Sequence, residues 1–409
     1  MCKNILIIGN GFDIACGLPT QYTDFLNFSQ LVEDIFTDQT WQLNYYNKTI
    51  IRQRCSVVVG DKNNNYLDLL AEDIYTYVQK DCLNTSTTNV EKIYEYLHDN
   101  IWSSYFRRLR HSNQNINKKW VDFEDEIKRL IRYFDELTDD LDILLPEALG
   151  IMNFPPRIEG NTSLTSRLEA LYNCRTDIRG YSVRDIKKLL YNDLQKFILA
   201  FEMYLCAFVD NIKFLSQIEV LKYVNFDYIV TFNYTHAYKW VVENPPKAIC
   251  HIHGECKINR KPENNNMVLG IDEYWDENDK NKHTNYVVFK KYAQRILKKT
   301  DISYITIIKD AEIAYNDALT VMYSEDVKEM QDKDEYINIY VFGHSLSITD
   351  KDVLSKLFNI RECKLKIFAH SEESKGELIS NLVSILGVDE VTSRASSIPC
   401  RLEFVDINR

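Results

Sequence analysis

The chain has 409 residues, and 45% of them are hydrophobic, so it can bury a full-sized core and does not have the composition of a disordered protein. Its 60 acidic residues outnumber its 49 basic residues, which gives a formal net charge of −11. Because this balance leaves no net positive field, nonspecific binding to nucleic acid is not favoured.

The first residues predict a buried strand followed by a tight turn. Asn4 to Ile8 form a short apolar run that stops at Gly9, as expected for a strand buried on both faces of a parallel sheet. Phe12 to Cys16 can then begin a helix. This start lacks the pattern of a signal peptide, and nowhere do eighteen apolar residues run together. We therefore expect a cytoplasmic protein without a membrane span.

Residues 31–220 show the spacing of long amphipathic helices. Apolar side chains recur at helical intervals, and the strongest stretches are Tyr66 to Leu70, Val90 to Tyr105, Trp120 to Leu145 and Ser182 to Ile218. Polar interruptions at 113–119 and 155–165 predict loops. We interpret the whole segment as a large helical insertion.

The rest of the chain alternates short β-rich runs with helices. Strands are predicted at 228–232, 248–252, 268–269, 338–342, 364–368 and 402–405. The helices predicted between them are 287–299, 310–330 and 373–386. Such alternation indicates a parallel α/β sheet. Residues 1–30 and 221–409 therefore form the predicted α/β core, and the insertion 31–220 interrupts it between the first strand and the second.

The turn after the first strand has two glycines that suit a phosphate site. A strand that ends in Gly9-Asn10-Gly11 lets the backbone come close to an anion at the start of the next helix. On this fragment alone, a plain tight turn between a strand and a helix explains the glycines equally well.

Polar residues also end two of the later strands. Asn233 follows Val230-Thr231-Phe232, at the sheet edge where open α/β sheets bind ligands, although asparagine is also a common turn former. Gly343-His344-Ser345 ends the strand at 338–342, and Asp350 either belongs to the same site or caps the next helix.

His251 and His253 stand two apart at the end of the predicted strand 248–252, so we expect both on one face. Two histidines at this spacing can bind a metal, but no third ligand stands out nearby, and the ten cysteines lack the paired spacing of a zinc site. We therefore expect no metal. An imidazole can accept a proton from a hydroxyl or a water, whereas a buried structural histidine is the alternative for both residues.

Taken in this order, the motifs resemble those of two families. The opening GNGFD…GLPT…Y…DFL and the segment Gly343 to Asp350 resemble the AbiH family of bacterial abortive-infection (anti-phage) proteins. The glycine turn with Gly17-Leu18-Pro19, together with Asn233 and His253-Gly254, is similar to the nucleotide-binding core of the sirtuins. Sirtuins have Asp-Phe-Arg where this chain has Thr20-Gln21-Tyr22, and their zinc cysteines are missing here. Protein deacylation is therefore not expected.

The resemblance implies a fold and an activity. The fold is α/β, with a sirtuin-like (Rossmann-like), doubly wound and mostly parallel sheet and a large all-helical insertion. The activity is that of an NAD glycohydrolase, which consumes NAD as its substrate during phage infection. In this activity Asn233 orients the ribose or a water and His253 is the base. The residues implied to bind the nucleotide are Gly9, Asn10, Gly11, Phe12, Asp13, Pro19, Thr231, Gly343, His344 and Ser345.

Two other functions remain open. The first is a nucleotide-binding sensor or scaffold that does not turn over the nucleotide and whose helical insertion binds a phage or host protein. The second is a nuclease that uses Asp13, Asp122 or Glu124 with a divalent ion. Trp120, Asp122 and Glu124 resemble a Trp-x-Asp-x-Glu signature of AbiH proteins, although acidic residues are also favoured at the start of any helix. The predicted partners are a nucleotide, with a phage-derived trigger, a second host protein or a second copy of the chain as further candidates.

Overall fold

A computed structural model of the chain describes residues 3–42, 47–60, 63–79, 87–112, 123–145, 180–213, 215–246, 248–258, 260–276, 278–300, 302–324 and 336–407. The chain divides into two compact units. The first unit comprises Met1–Leu18, Phe214–Glu255 and Lys299–Arg409, and the second comprises Pro19–Lys213 and Cys256–Lys298.

Six strands form an all-parallel sheet in the first unit. They are β1 (Asn4–Ile8), β2 (Tyr228–Thr231), β3 (Ala248–His251), β4 (Ile337–Phe342), β5 (Cys363–Ala369) and β6 (Leu402–Asp406). Their spatial order is β3-β2-β1-β4-β5-β6. The order of strands along the chain therefore reverses direction between β1 and β4, in the middle of the sheet.

Both faces of β1 are apolar and buried. Ile5 and Ile7 lie in a buried cluster with residues of the helices Tyr304–Ser324, Lys351–Phe358 and Glu372–Leu386. A slip of one residue would turn both isoleucines to the opposite face of the sheet. Leu6 and Ile8, on that other face, are buried as well. Burial of a side chain of this size contributes about 1.5–3 kcal/mol, so both faces of β1 add to the stability of the sheet.

The helices of the first unit connect and flank its strands. Ser371 caps the helix Glu372–Leu386 by accepting a hydrogen bond from the Ser374 backbone, and Gly387, with a φ of 87°, ends it. The α-helices of this unit are Asn10–Ala15, Glu219–Lys222, Tyr238–Val241, Tyr304–Ser324, Lys351–Phe358, Glu372–Leu386 and Val388–Ser396.

The second unit is mainly helical and has an aromatic interior. The ring of Phe25 lies 4.9 Å from that of Phe201 and 5.3 Å from that of Phe197, centroid to centroid. Rings at these distances pack favourably beyond the area that they bury. The α-helices of this unit are Tyr22–Thr37, Lys48–Val59, Asn64–Val78, Asn89–Leu97, Ile101–Ser112, Phe123–Leu137, Val183–Tyr204 and Lys291–Lys298, and a π-helical turn follows at Leu205–Val209.

Most predicted strands are confirmed within a residue or two, but the one at 268–269 is wrong. Val268 and Leu269 are buried, yet they lie outside regular structure. Among the described residues of that region, only an isolated bridge between Ile271 and Lys290 has strand pairing.

Several predicted helices have different bounds. The segment 90–105 contains two helices, Asn89–Leu97 and Ile101–Ser112, and the long helix that begins at Val183 ends well before residue 218. Residues 256–298, which the sequence assigned to the α/β core, cluster with the helical unit. The predicted loops at 113–119 and 155–165, and Trp120 and Asp122, lie outside the described residues. In the part of the chain that the structure describes, no helix is both long and apolar enough to span a membrane.

Candidate functional site

The loops that follow β1 and β4 are in direct backbone contact. The Gly9 amide donates to the Phe342 carbonyl oxygen at 3.3 Å, and the Gly11 amide donates to the Gly343 carbonyl oxygen at 2.8 Å. The Phe12 amide donates to the Gly9 oxygen at 2.8 Å. All three amides are used within the protein: the first two hold the loops together, and the third closes the turn after β1.

The glycines of both loops are required by this contact. A Cβ atom on Gly11 would lie 2.7 Å from the Cα atom of Gly343, and one on Gly9 would lie 2.7 Å from the Cα atom of His344. Gly343 has a φ of 65°, and its Cβ atom would lie 2.1 Å from the Phe12 nitrogen. Close packing of two loops therefore accounts for the Gly-x-Gly motif, which was also predicted to approach a phosphate.

The loop after β2 is tied to the loop after β1 through Asp13. The Asn233 side-chain amide donates to the Gly9 oxygen and to Oδ1 of Asp13, both at 2.9 Å, and the Thr235 hydroxyl donates to Oδ2 of Asp13 at 2.5 Å. Asp13 is 1% exposed and Asn233 is 6% exposed. The Thr231 hydroxyl accepts from the Asn233 backbone amide at 3.0 Å and so shapes the turn that positions Asn233.

A second buried group contains His253, His344 and Asp350. Nε2 of His253 lies 3.0 Å from Oδ1 of Asp350, and Nε2 of His344 lies 3.6 Å from Oδ2 of the same carboxyl group. Nδ1 of His344 accepts from the Leu346 backbone amide at 2.9 Å, so its proton is on Nε2, which faces Asp350. The ring of Phe232 packs edge-on against both imidazoles. Asp350 therefore bonds to a histidine and makes no side-chain capping hydrogen bond with the helix that follows it.

His251 and His253 have different surroundings, although the sequence predicted one shared face. Nδ1 of His251 bonds to the Asn233 backbone oxygen at 3.1 Å, and its Nε2 bonds to the Tyr238 hydroxyl at 3.2 Å. Burial, followed by the nearby charge of His236, lowers the pKa of His251 to about 4. The imidazole is therefore neutral at physiological pH.

The structure identifies further ionisable residues beside His251. His236 and Glu255 each offer a ligand atom within 4.8 Å of one from His251, so these three side chains could hold a metal ion. Glu255 is only four residues from His251 but was not recognised as a ligand, whereas the pairing of β2 with β3 brings His236 close to His251. Thr235 was missed because its partner Asp13 is 222 residues away in the sequence.

The remaining predicted site residues occupy varied positions. Phe12 is buried and packs edge-on against Phe342, whereas Asn10 and Ser345 are exposed and flank the glycine contact. Pro19 belongs to the second unit, where its carbonyl oxygen accepts from the Tyr204 hydroxyl at 2.8 Å.

The acidic residues named for a nuclease lie in different parts of the chain. Asp13 belongs to the first unit, where it joins two loops, and Glu124 belongs to the second unit, where it pairs with Lys291 at 2.9 Å. Glu124 therefore has a structural partner of its own.

Comparison with known proteins gives a family for the chain. The model of the family described as bacteriophage abortive infection AbiH matches residues 5–369, a range that includes the loops after β1, β2, β3 and β4. Searches of curated proteins and of solved structures gave no match. The likeness to sirtuins stays a prediction. On the extent of the family match, this chain belongs to the AbiH family of bacteriophage abortive infection proteins.

Proposed function

We propose that the chain is a nucleotide-binding NAD glycohydrolase of phage defence. The observation that carries the proposal is the meeting of the loops after β1, β2 and β4 at the carboxyl edge of the sheet, where the strand order reverses. The spatial order 3-2-1-4-5-6 is that of doubly wound, Rossmann-like sheets, which bind dinucleotides at this reversal. A nucleotide at this edge is therefore the ligand that the topology favours.

The side chains around the glycine contact suit the polar parts of a nucleotide. Since the amides of Gly9, Gly11 and Phe12 bond within the protein, we assign the first contacts with the ligand to the exposed side chains of Asn10 and Ser345. Both can donate hydrogen bonds to phosphate or ribose oxygens.

Asn233 and His253 are placed to act on the ribose. Both hydrogens of the Asn233 amide are directed at Gly9 and Asp13, which fixes the side chain and leaves its oxygen to accept a hydrogen bond from a ribose hydroxyl or a water. Asp350 orients the His253 imidazole and would stabilise its protonated form, as a carboxylate does for a catalytic histidine. Because Nε2 of His253 faces Asp350, the proton would be accepted by Nδ1, which is buried in this structure. The proposal therefore requires that ligand entry exposes Nδ1.

Hydrolysis of the bond between nicotinamide and ribose needs few groups. The protein must hold the ribose, stabilise a centre with oxocarbenium character and position one water. Removal of NAD would stop metabolism in an infected cell, which agrees with the abortive infection for which the family is described.

The test is release of nicotinamide from NAD by the purified full-length chain, with and without extract of phage-infected cells as the trigger. We expect His253→Gln to lower the rate at least about 100-fold, which is the scale of a general-base contribution. Asn233→Ala should lower it similarly. His370→Gln, a change at an exposed histidine after β5, should leave it unchanged. Thermal unfolding of each variant shows whether the fold is retained.

Three results would contradict parts of this proposal. Full activity in folded His253→Gln removes the catalytic assignment. NAD that binds, measured by calorimetry, but is never cleaved under any trigger supports the sensor without turnover. Loss of added DNA or RNA in the same reactions, dependent on magnesium, supports the nuclease.

A further inference from the structure

A cluster of three potential metal ligands lies at the ends of β2 and β3. His251 is the last residue of β3, His236 follows the loop after β2, and Glu255 lies in the turn after β3. Their ligand atoms all lie within 4.8 Å of one another. The imidazole rings of His236 and His251 are 5.2 Å apart between centroids, and Nε2 of His236 is 3.1 Å from Oε2 of Glu255.

We propose that His236, His251 and Glu255 form a binding site for a divalent transition-metal ion of the zinc class. Two imidazoles and one carboxylate are a common ligand set for zinc and for other first-row transition metals. Ligand atoms around a tetrahedral zinc ion, each about 2.0–2.1 Å from it, are about 3.3 Å apart. The 3.1 Å between His236 and Glu255 already meets this requirement, and the other distances, which are at most 4.8 Å, would shorten when an ion binds.

The main chain orients His251 as a metal ligand. Its Nδ1 lies 3.1 Å from the Asn233 carbonyl oxygen, which can only accept, so the proton of a neutral imidazole is on Nδ1. The lone pair is then on Nε2, where it accepts a hydrogen bond from the Tyr238 hydroxyl, so an ion bound to Nε2 would replace that hydroxyl. Histidines that bind metals usually donate the other ring hydrogen to a carbonyl or a carboxylate in this way.

The exposure of the three side chains gives an ion a path to the site. His251 is 7% exposed, whereas the side chains of His236 and Glu255 are 13% and 31% exposed. Three protein ligands leave one coordination position for water, as in zinc sites that act on substrates. An ion here would also restrict the loop that carries Asn233, because Nδ1 of His251 is hydrogen-bonded to the Asn233 backbone oxygen.

The site is independent of NAD hydrolysis and can be tested without an activity assay. The full-length chain is freed of metal with a chelator and titrated with Co²⁺, whose visible absorption reports its coordination. Zn²⁺ affinity is measured by competition with a chromogenic chelator. We expect one ion per chain and a higher thermal unfolding midpoint with Zn²⁺, because the ion binds only the folded state.

Variants identify the ligands. Glu255→Gln and His236→Gln should each weaken Zn²⁺ binding at least about tenfold. Loss of a residue that only hydrogen-bonds to a metal ligand already weakens binding by about this factor. Glu255→Gln keeps the shape of a partly exposed side chain, so it should fold like the wild type. His370→Gln, which removes an exposed histidine elsewhere, should bind Zn²⁺ normally.

The proposal is overturned if the wild-type chain takes up no saturable ion, or if both variants bind Zn²⁺ as tightly as the wild type. A charge-transfer band from sulfur to cobalt would also overturn it, because the proposed ligand set contains no sulfur.

Discussion

Gly343 joins two loops of the candidate site through its backbone. Its φ of 65° is in the left-handed region, and its Cα hydrogens face the backbone of Gly11 and Phe12. A larger residue at Gly11 would collide with Gly343 whether or not a nucleotide binds there. Loss of nucleotide binding on substitution of Gly11 would therefore not identify a phosphate site.

We expect Gly343→Ala to lower the free energy of unfolding by about 3 kcal/mol or more, because it adds left-handed strain and forces two loops apart. The matched change is Gly376→Ala, in the helix Glu372–Leu386, where a Cβ atom would meet nothing within 4 Å. That change should stabilise the chain by about 0.5–1 kcal/mol. Thermal unfolding of both variants measures the contrast. Equal midpoints for the two would contradict the account of the glycine contact.

The sequence could place the candidate site residues at one sheet edge, but it could not supply their partners. Asn233 and His253 follow predicted strands, and the carboxyl ends of parallel strands meet at one edge. Asp13 lies 220 residues from Asn233, and Asp350 lies 97 residues from His253. Contacts over such separations depend on how loops pack and leave no periodic signal in a single sequence.

Among the structural elements, buried strands were the easiest to predict. β1 is a short apolar run, which is typical of a parallel strand covered on both faces. In β4 and β5, buried and partly exposed residues alternate before an apolar end. Val268 and Leu269 have the same apolar character without being a strand. The side chain of Gln294 donates to the Leu269 carbonyl and accepts from its amide, both at 3.1 Å, and so replaces a neighbouring strand.

Helix breaks were harder to predict because apolar spacing continues across them. The segment 90–105 has one helical pattern, but the first helix ends at Leu97 and a second begins at Ile101. Between them, Asp99 has a φ of 55°. The Ile101 amide, at the start of the second helix, donates to the buried carboxylate of Asp193 at 2.9 Å. This hydrogen bond gives the amide the partner that the helix cannot supply. A helix start held by a residue 92 positions away is invisible to local sequence patterns.

A local cap, by contrast, can be tested on one helix. Ser182 caps the helix Val183–Tyr204: its hydroxyl accepts from the Asp185 amide at 3.2 Å, and the Asp185 carboxylate accepts from the Ser182 amide at 3.1 Å. We expect Ser182→Ala to destabilise this helix start by about 1 kcal/mol. Hydrogen–deuterium exchange over residues 183–190 should then be about fivefold faster, since 1 kcal/mol is roughly that factor in an equilibrium.

Ser380→Ala is the control for this prediction, because Ser380 is an exposed interior residue of the helix Glu372–Leu386. Exchange in that helix should be unchanged or slower, since alanine has the higher helix propensity. Unchanged exchange at 183–190 in Ser182→Ala would show that the cap contributes little.

At the scale of the whole molecule, the net charge of −11 bears on which ligands the protein can attract. Nonspecific binding to DNA depends on positive charges that displace counterions from phosphates, with dissociation constants of about 10⁻⁴–10⁻⁶ M at physiological salt. We expect the chain to bind a labelled 20-base-pair duplex more weakly than this, with no change in fluorescence anisotropy up to about 10 µM protein in 150 mM salt. Saturable binding below that concentration would reveal a local basic surface and favour a nuclease.

The central position of β1 in the sheet affects how the protein is made. β1 pairs with β4 through residues such as Asn4 and Asn338, which are 334 positions apart. At a synthesis rate of about 5–20 residues per second, the ribosome needs roughly 17–67 s to reach β4 after it has made β1. β1 also pairs with β2, which is translated earlier, so until β4 is made β1 can have a partner on one side only. The contact between the glycine loops after β1 and β4 can therefore form only once β4 has been translated, so the candidate site is assembled later than the pairing of β1 with β2.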